Sequence, residues 1–295
     1  IGQSVHNECQ MLQSLPKQTI ALQQKGCPKW YAPNAKSAGY YRWNLTESGW
    51  KKLQNNLDAL EVTDILSLTD SLKASALAGK IDATAILQAA PLFVNSDERR
   101  VASTPMGTLR FVHDHILEEK HLPNLESFAQ NLYERQFQRL GFGSEKSAPS
   151  SDDDKLFRQS LLSFLASTAK TPAVRGKLQS WGNTYLGLGN TKALAPESVD
   201  PNLVATALRV TIEDGELSAL QTAIEHLSKT SNPIIRSQLL SGIAAADTPE
   251  KSKLVRNLLL SETLRSNERS RLLRNHMSVP KNTQALWEWV QTNYD

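Results

Sequence analysis

Cysteine is nearly absent. Cys9 and Cys27 are the only two in 295 residues. That is too few for a disulfide framework, and their spacing fits no zinc ribbon or redox motif. Two unpaired thiols are expected, with a single bridge between adjacent strands as the alternative. Long apolar runs are also missing: no stretch reaches the about 18 residues that would cross a bilayer. No leader with a charged start and an apolar middle opens the chain. Ile1 is read as the start of a fragment or of a processed chain, so that lack leaves the compartment undetermined. Charge of one sign is scarce. The net charge is +3, and no basic stripe interleaved with aromatics points to a nucleic-acid partner. Aromatic residues make up only 6% of the chain, which leans towards helix rather than a β-sandwich.

What is present fits an ordinary globular chain, 40% hydrophobic and 21% charged, long enough for one large domain or two smaller ones. Residues 1–45 read differently from the rest. Short runs at Gln10-Met11-Leu12-Gln13 and Thr19-Ile20-Ala21-Leu22-Gln23 are split by Leu15-Pro16-Lys17 and followed by Gly26-Cys27-Pro28. This pattern predicts two or three strands. So few strands cannot bury a face alone, so the segment is expected to complete a β-domain lying upstream.

From Thr46 onward the period is helical. Thr46 is expected to cap a helix reaching Leu60. Ile65, Leu68, Leu72 and Leu77 share the spacing of one helix face, Gly79 supplies a stop, and Asp82 caps the next helix. Four starts pair an N-cap residue with proline: Thr171-Pro172, Asp200-Pro201, Asn232-Pro233 and Thr248-Pro249. The first three recur at about 30 residues, close to helix-pair repeats, but without a repeat consensus. The expected fold is all-α, an irregular α-solenoid of about a dozen helices. Residues 141–154 read as an exposed loop dividing two halves of the array.

Motifs that carry chemistry are few. There is no His-Glu-x-x-His helix, and His6-Asn7-Glu8-Cys9 is only an echo of one. The densest ligand cluster is His113-Asp114-His115 with Glu118, Glu119 and His121. His115 and Glu119 share a helix face while His113 and His115 point apart, so a polar surface helix is favoured over a metal site. Gly141-Phe142-Gly143 and Gly187-Leu188-Gly189 follow helices rather than strands, so they read as helix ends and not phosphate loops. No Gly-x-Ser-x-Gly elbow occurs, and nothing marks a Ser–His pair as catalytic. Two groups remain that suit a partner. One is the basic stretch Lys251, Lys253, Arg256, Arg265, Arg269, Arg271, Arg274 and Lys281, whose plainer reading is a solvated helix face. The other is the aromatic group Trp30, Tyr31, Tyr40, Tyr41, Trp43 and Trp50, which suits either a domain junction or ordinary core.

One segment carries a family resemblance. Pro33-Asn34-Ala35-Lys36-Ser37-Ala38-Gly39-Tyr40-Tyr41-Arg42-Trp43, then Gly49-Trp50-Lys51-Lys52-Leu53, resembles the opening of the C-terminal domain of the aminopeptidase N family. That family includes the puromycin-sensitive and endoplasmic-reticulum aminopeptidases. Weaker likenesses follow in order: Asp64 to Leu72 with Ala78-Gly79-Lys80-Ile81, Val210 to Gly215, and Asn282 to Tyr294. The resemblance implies a HEAT-like superhelical C-terminal domain, residues 46–295, preceded by the end of a β-sandwich with its junction, residues 1–45. Tyr40, Tyr41 and Arg42 would mark that junction.

It further implies a parent zinc metallopeptidase that removes N-terminal residues from peptides. The zinc ligands and the catalytic groups of that family lie in an upstream domain and have no counterpart here. The reading therefore assigns no catalytic residue, metal ligand or cofactor to this chain, and expects it to be inactive alone. Its partners would be the upstream catalytic and β-sandwich domains and peptide substrates, with no nucleic acid and no membrane segment. Ala245 stands where some relatives place a basic residue for the peptide C-terminus, so Arg110, His113, Arg265 and Arg269 are the candidates for contacting a peptide carboxylate. The competing reading is an independent α-solenoid scaffold that binds a protein partner.

Overall fold

A computed structural model of the chain describes residues 6–11, 17–21, 23, 26–143, 151–189 and 192–293. All regular structure among them is helical. Residues 1–108 and 109–295 form two compact units.

In the first unit, residues before Trp30 form no strand among those described. Two segments nevertheless run side by side in opposite directions. The Glu8 carboxylate accepts from the Gln23 N–H, Gln10 Nε2 donates to the Ala21 carbonyl, and Gln18 Nε2 donates to the Met11 carbonyl. Side chains make these links. A lone two-stranded ribbon with no apolar face to bury is marginal in water. Leu12 to Pro16 and Leu22, part of the expected strands, lie outside the described residues. Cys9 and Cys27 are free and exposed.

The helices of this unit are α1 (Glu47–Gln54), α2 (Val62–Leu77), α3 (Ala83–Val94) and α4 (Arg99–Ala102), and α5 (Thr104–His115) begins in it. Local chemistry sets their ends. The Thr46 hydroxyl accepts from the Gly49 N–H at 3.2 Å, and Asp82 Oδ1 accepts from the Thr84 N–H at 2.7 Å. α1 stops at Gln54 rather than running to Leu60: Asn56 turns its carboxamide back to the Lys52 carbonyl at 2.8 Å, ending the ladder, and only a short 3-10 turn follows at Leu57–Ala59. α2 ends as expected at Gly79, whose φ of +65° lets the Lys80 N–H reach the Ser75 carbonyl at 2.8 Å. Leu68 and Leu72 are buried, but Leu77 is exposed, because 12 residues at about 100° each carry it well round the helix from Ile65. The core of this unit is Leu53, Leu68, Leu72, Ala89, Phe93 and Val101, with Trp30, Trp43, Leu45 and Trp50 packed against it.

The second unit holds the rest of α5, then α6 (Leu122–Leu140), α7 (Asp152–Ser167), α8 (Pro172–Leu186), α9 (Val204–Asp214), α10 (Leu217–Lys229), α11 (Pro233–Ile243), α12 (Pro249–Leu260), α13 (Ser266–Met277) and α14 (Thr283–Thr292). Asn232 and Thr248 cap α11 and α12 as their sequences predict. Thr171 precedes α8 without making its cap bond. Asp200 differs. It accepts from the Asn202 N–H and closes a turn, and α9 starts only at Val204. Of the 141–154 loop, residues 144–150 lie outside the described residues; α6 and α7 on either side of it pack against each other.

Packing repeats along this unit. Each of α7 to α11 touches the next helix but one, so odd and even helices form two layers. The tightest approach is α8 on α9. A Cβ at Gly182 would stand 2.1 Å from Thr211 Oγ1 and 2.8 Å from the Ala207 carbonyl oxygen, so only glycine allows it. Tyr133, Phe157, Leu161, Phe164, Tyr185 and Leu186 are among the fully buried core. Each such side chain contributes on the order of 1.5–3 kcal/mol by leaving water.

Candidate functional site

The residues singled out by sequence fall into separate places. The junction motif is a built loop. Asn34 adopts a left-handed conformation (φ 61°) and grips Gly39 twice: its Oδ1 accepts from the Gly39 N–H at 2.6 Å and its Nδ2 donates to the Gly39 carbonyl at 2.8 Å. A Cβ at Gly39 would lie 2.3 Å from the ring of the exposed Tyr41, so any larger residue would have to displace that ring. The loop docks on the start of α2, with the Lys36 N–H on Asp64 Oδ1 at 2.5 Å and the Ser37 hydroxyl on the Thr63 carbonyl. Arg42 pairs with Asp70 at 2.9 Å. Trp30, Trp43 and Trp50 join the core, while Tyr31, Tyr40 and Tyr41 are exposed, so the aromatic group divides between its two readings.

Arg110 and His113 stand near the end of α5, beside the α7–α8 turn. Arg110 Nε donates to Thr168 Oγ1 at 3.4 Å. Although much of this residue is solvent-exposed, protein around its head lowers the guanidinium pKa; Arg209 on α9 pushes the same way and Asp114 opposes. Among the described residues no carboxylate lies within ion-pair distance of Arg110. Its neighbours are more committed. Glu213 on α9 is shared by Arg175 at 3.0 Å, Lys170 at 3.3 Å and Arg209 at 3.9 Å, and Arg175 also grips Asp214. Arg110 and Arg209 are thus the weakly matched cations of a mixed cluster, the arrangement that accepts a carboxylate through a guanidinium fork.

His113 serves another purpose. Its Nδ1 meets Asp114 Oδ1 at 2.7 Å, and its Nε2 faces Glu126 Oε1 on α6 at 3.5 Å. That Nε2 is buried and has no hydrogen-bond partner among the described residues. His115 stacks tilted on Phe111, and His121 is exposed in a 3-10 turn. The three histidines do not converge, and the described residues contain no group of three His, Cys, Asp or Glu able to hold a metal ion.

Arg265 and Arg269 lie elsewhere, at the start of α13. Arg265 reaches the Ser231 carbonyl and Arg269 the Ser261 carbonyl, both at 2.9 Å. α13 packs on α11 and α12, whereas Arg110 bonds Thr168 at the α7–α8 turn and neighbours Arg209 on α9, so the four candidates do not share one site. The basic stretch to which Arg265 and Arg269 belong is not a uniform solvated face. Lys251 is buried, and its Nζ caps the end of α9 by donating to the carbonyls of Ile212 (2.7 Å), Glu213 (3.1 Å) and Gly215 (2.7 Å). Arg271 bonds Ser237 on α11 at 2.7 Å.

Two features carried no sequence signal. The first is a pair with the outline of a nucleophile and base: Ser252 Oγ lies 2.8 Å from His276 Nε2. Both residues are buried, His276 Nδ1 meets the Ala244 carbonyl, and Arg256 donates to the same Oγ. No substrate can approach it. The second is an open groove of about 320 Å³ between α8 and the α9–α10 turn, lined by Gln179, Asn183, Asp214, Glu216 and Ser218 among others. None of the candidate carboxylate contacts lines it.

Among the described residues no helix is long and apolar enough to cross a membrane. The profile of the ERAP1-like C-terminal domain matches residues 30–295. No curated protein matches the chain.

Proposed function

The chain belongs to the ERAP1-like C-terminal domain family, and from that premise we propose that it is the non-catalytic C-terminal domain of a zinc aminopeptidase. It encloses the peptide chamber of its parent enzyme and limits which peptides reach the zinc. The family match over residues 30–295 carries this reading. The two-layer succession from α7 to α11 supports it as a HEAT-like wall. In the intact enzyme such a wall works by enclosure: it excludes folded proteins and shuts bulk water out when it closes on the catalytic domain. The exposed Tyr31, Tyr40 and Tyr41 beside the Asn34–Gly39 loop suit contact with an upstream β-sandwich. Arg110, with Arg209 near it, is the group best suited to hold a peptide carboxylate, since Arg110 has no carboxylate within ion-pair distance among the described residues and Arg209 shares Glu213, at 3.9 Å, with two other cations.

The purified chain is expected to hold no stoichiometric zinc and to leave an aminoacyl-anilide intact; zinc-dependent hydrolysis by this chain would overturn the proposal. In the intact parent enzyme, Arg110→Ala is expected to raise KM for free-acid peptides while leaving C-terminally amidated peptides unchanged. An equal effect on both would remove Arg110 from the carboxylate contact.

A further inference from the structure

The buried Ser252–His276 pair lies where four segments meet. Asn282, also buried, completes it: its Nδ2 donates to the Ala246 carbonyl at 2.7 Å and lies 3.3 Å from His276 Nδ1. The cluster ties the end of α11, α12, α13 and the turn that leads into α14.

The hydrogen bonds fix the protonation state. The Ala244 carbonyl can only accept, so His276 Nδ1, at 2.9 Å, carries the proton and donates it. Nε2 is then the acceptor of the Ser252 hydroxyl, and Ser252 Oγ also accepts from Arg256 Nη1 at 2.9 Å. With the ring neutral both of its nitrogens are bonded, while Asn282 Nδ2, facing the protonated Nδ1 at 3.3 Å, bonds only the Ala246 carbonyl. A second proton on Nε2 would point at Ser252 Oγ, which already receives Arg256, and would place two positive charges around one buried hydroxyl. Of the other charged groups on these segments, Glu250 and Lys253 are exposed, and Asp247 Oδ1 is buried without a hydrogen-bond partner among the described residues. Lys251 caps α9, Asp247 and Lys281 pair with each other at 3.2 Å, Arg271 bonds Ser237, and Arg274 bonds the Ser270 carbonyl. Among the described residues no carboxylate bonds the ring or Ser252.

We propose that the Ser252–His276–Asn282 cluster is an acid-sensitive latch: protonation of His276 releases α13 and α14 from α11 and α12. Burial lowers the His276 pKa from its ordinary 6.5; the Ala244 bond opposes this and Arg256 adds to it. The latch is therefore at full strength above 6.5 and loses strength as pH falls below 6.5 towards the folded value. Each pH unit in that window favours the open state by up to about tenfold.

The test uses the full chain. Hydrogen–deuterium exchange at pH 7.5 and 5.5, corrected for intrinsic rates, is expected to show lost protection confined to residues 266–293 by up to about tenfold, with α8 and α9 unchanged. Trp287 and Trp289 on α14 should become more open to acrylamide. In His276→Gln, which cannot titrate, this pH dependence is expected to vanish. Equal protection at both pH values, or a loss that persists in His276→Gln, would refute the latch. Should that variant fail to fold, ¹⁵N-histidine spectra of the wild type decide: His276 gaining its proton while 266–293 stay protected would also refute it.

Discussion

The sharpest stability prediction concerns Arg236 on α11. Its side chain is buried and uses every donor. Nε and Nη2 form a fork on Glu268 at 2.7 and 2.6 Å, Nη1 donates to the carbonyls of Leu227 and Thr230, and Nη2 also donates to the carbonyl of Thr263. One guanidinium therefore joins α11 to the end of α10, the turn before α13 and the first turn of α13. Arg236→Met keeps the bulk but strands a buried carboxylate that retains only the Arg265 N–H at 2.9 Å. Removing one member of a buried pair costs about 3–5 kcal/mol. Replacing both Arg236 and Glu268 with methionine should cost clearly less than the sum of the two single changes, because neither charge is then left alone.

Urea unfolding followed by tryptophan fluorescence measures these values. The pH dependence supplies a second check. The Arg236 hydrogen bonds hold the Glu268 carboxyl below its ordinary value of 4.5, so its stabilisation is present above 4.5 and fades as pH falls through the lowered value. In Arg236→Met the stranded carboxylate can take a proton instead. The gap between wild type and variant should therefore narrow from pH 7 to pH 4. A cost below about 1 kcal/mol at pH 7, the level of a single exposed hydrogen bond or ion pair, or a gap that does not change with pH, would refute the argument.

Other outcomes follow from the same physics. Gly182→Ala should destabilise by about 1–3 kcal/mol through overpacking, and Thr211→Ala in the same chain should recover part of that, as seen in the urea midpoint; a stabilising Gly182→Ala would contradict the close approach of α8 and α9. Burial raises the Tyr185 phenol to about 12, so its contribution to stability is intact below its ordinary pKa of 10.0 and is lost as pH rises towards 12. In absorbance titration at 295 nm, Tyr185 should ionise after the exposed tyrosines, together with alkaline unfolding. Asn34→Ala removes both grips on Gly39 and should cost about 1–2 kcal/mol, with raised amide exchange across 35–42; unchanged exchange there would count against the clamp.

Much of the helical punctuation was legible because its causes lie within a few residues. Thr46, Asp82, Asn232 and Thr248 each satisfy an N–H two or three positions on, and Gly79 needs only its own φ. Where the reading slipped, the competing bond was also local: Asn56 ended α1 early, and Asp200 closed a turn before α9 began. The candidate site was legible only in part. Arg110 could be picked out as a cation, but Arg209 and Thr168 come to it from helices far along the chain. No spacing rule reports that meeting.

Sequence alone determined the all-α class, most helix ends and the family likeness at the Asn34–Gly39 loop, since propensity, capping and period act over single turns of chain. The tertiary structure decided what the charged and polar residues do. The stretch from Lys251 to Lys281 reads as one basic run, yet folding sends Lys251 to cap α9, Arg256 to Ser252 and Arg271 to α11, while His276 enters the core. Those roles depend on distance and burial between helices about 30 residues apart, and in a stacked helical array that is set by packing rather than by order along the chain.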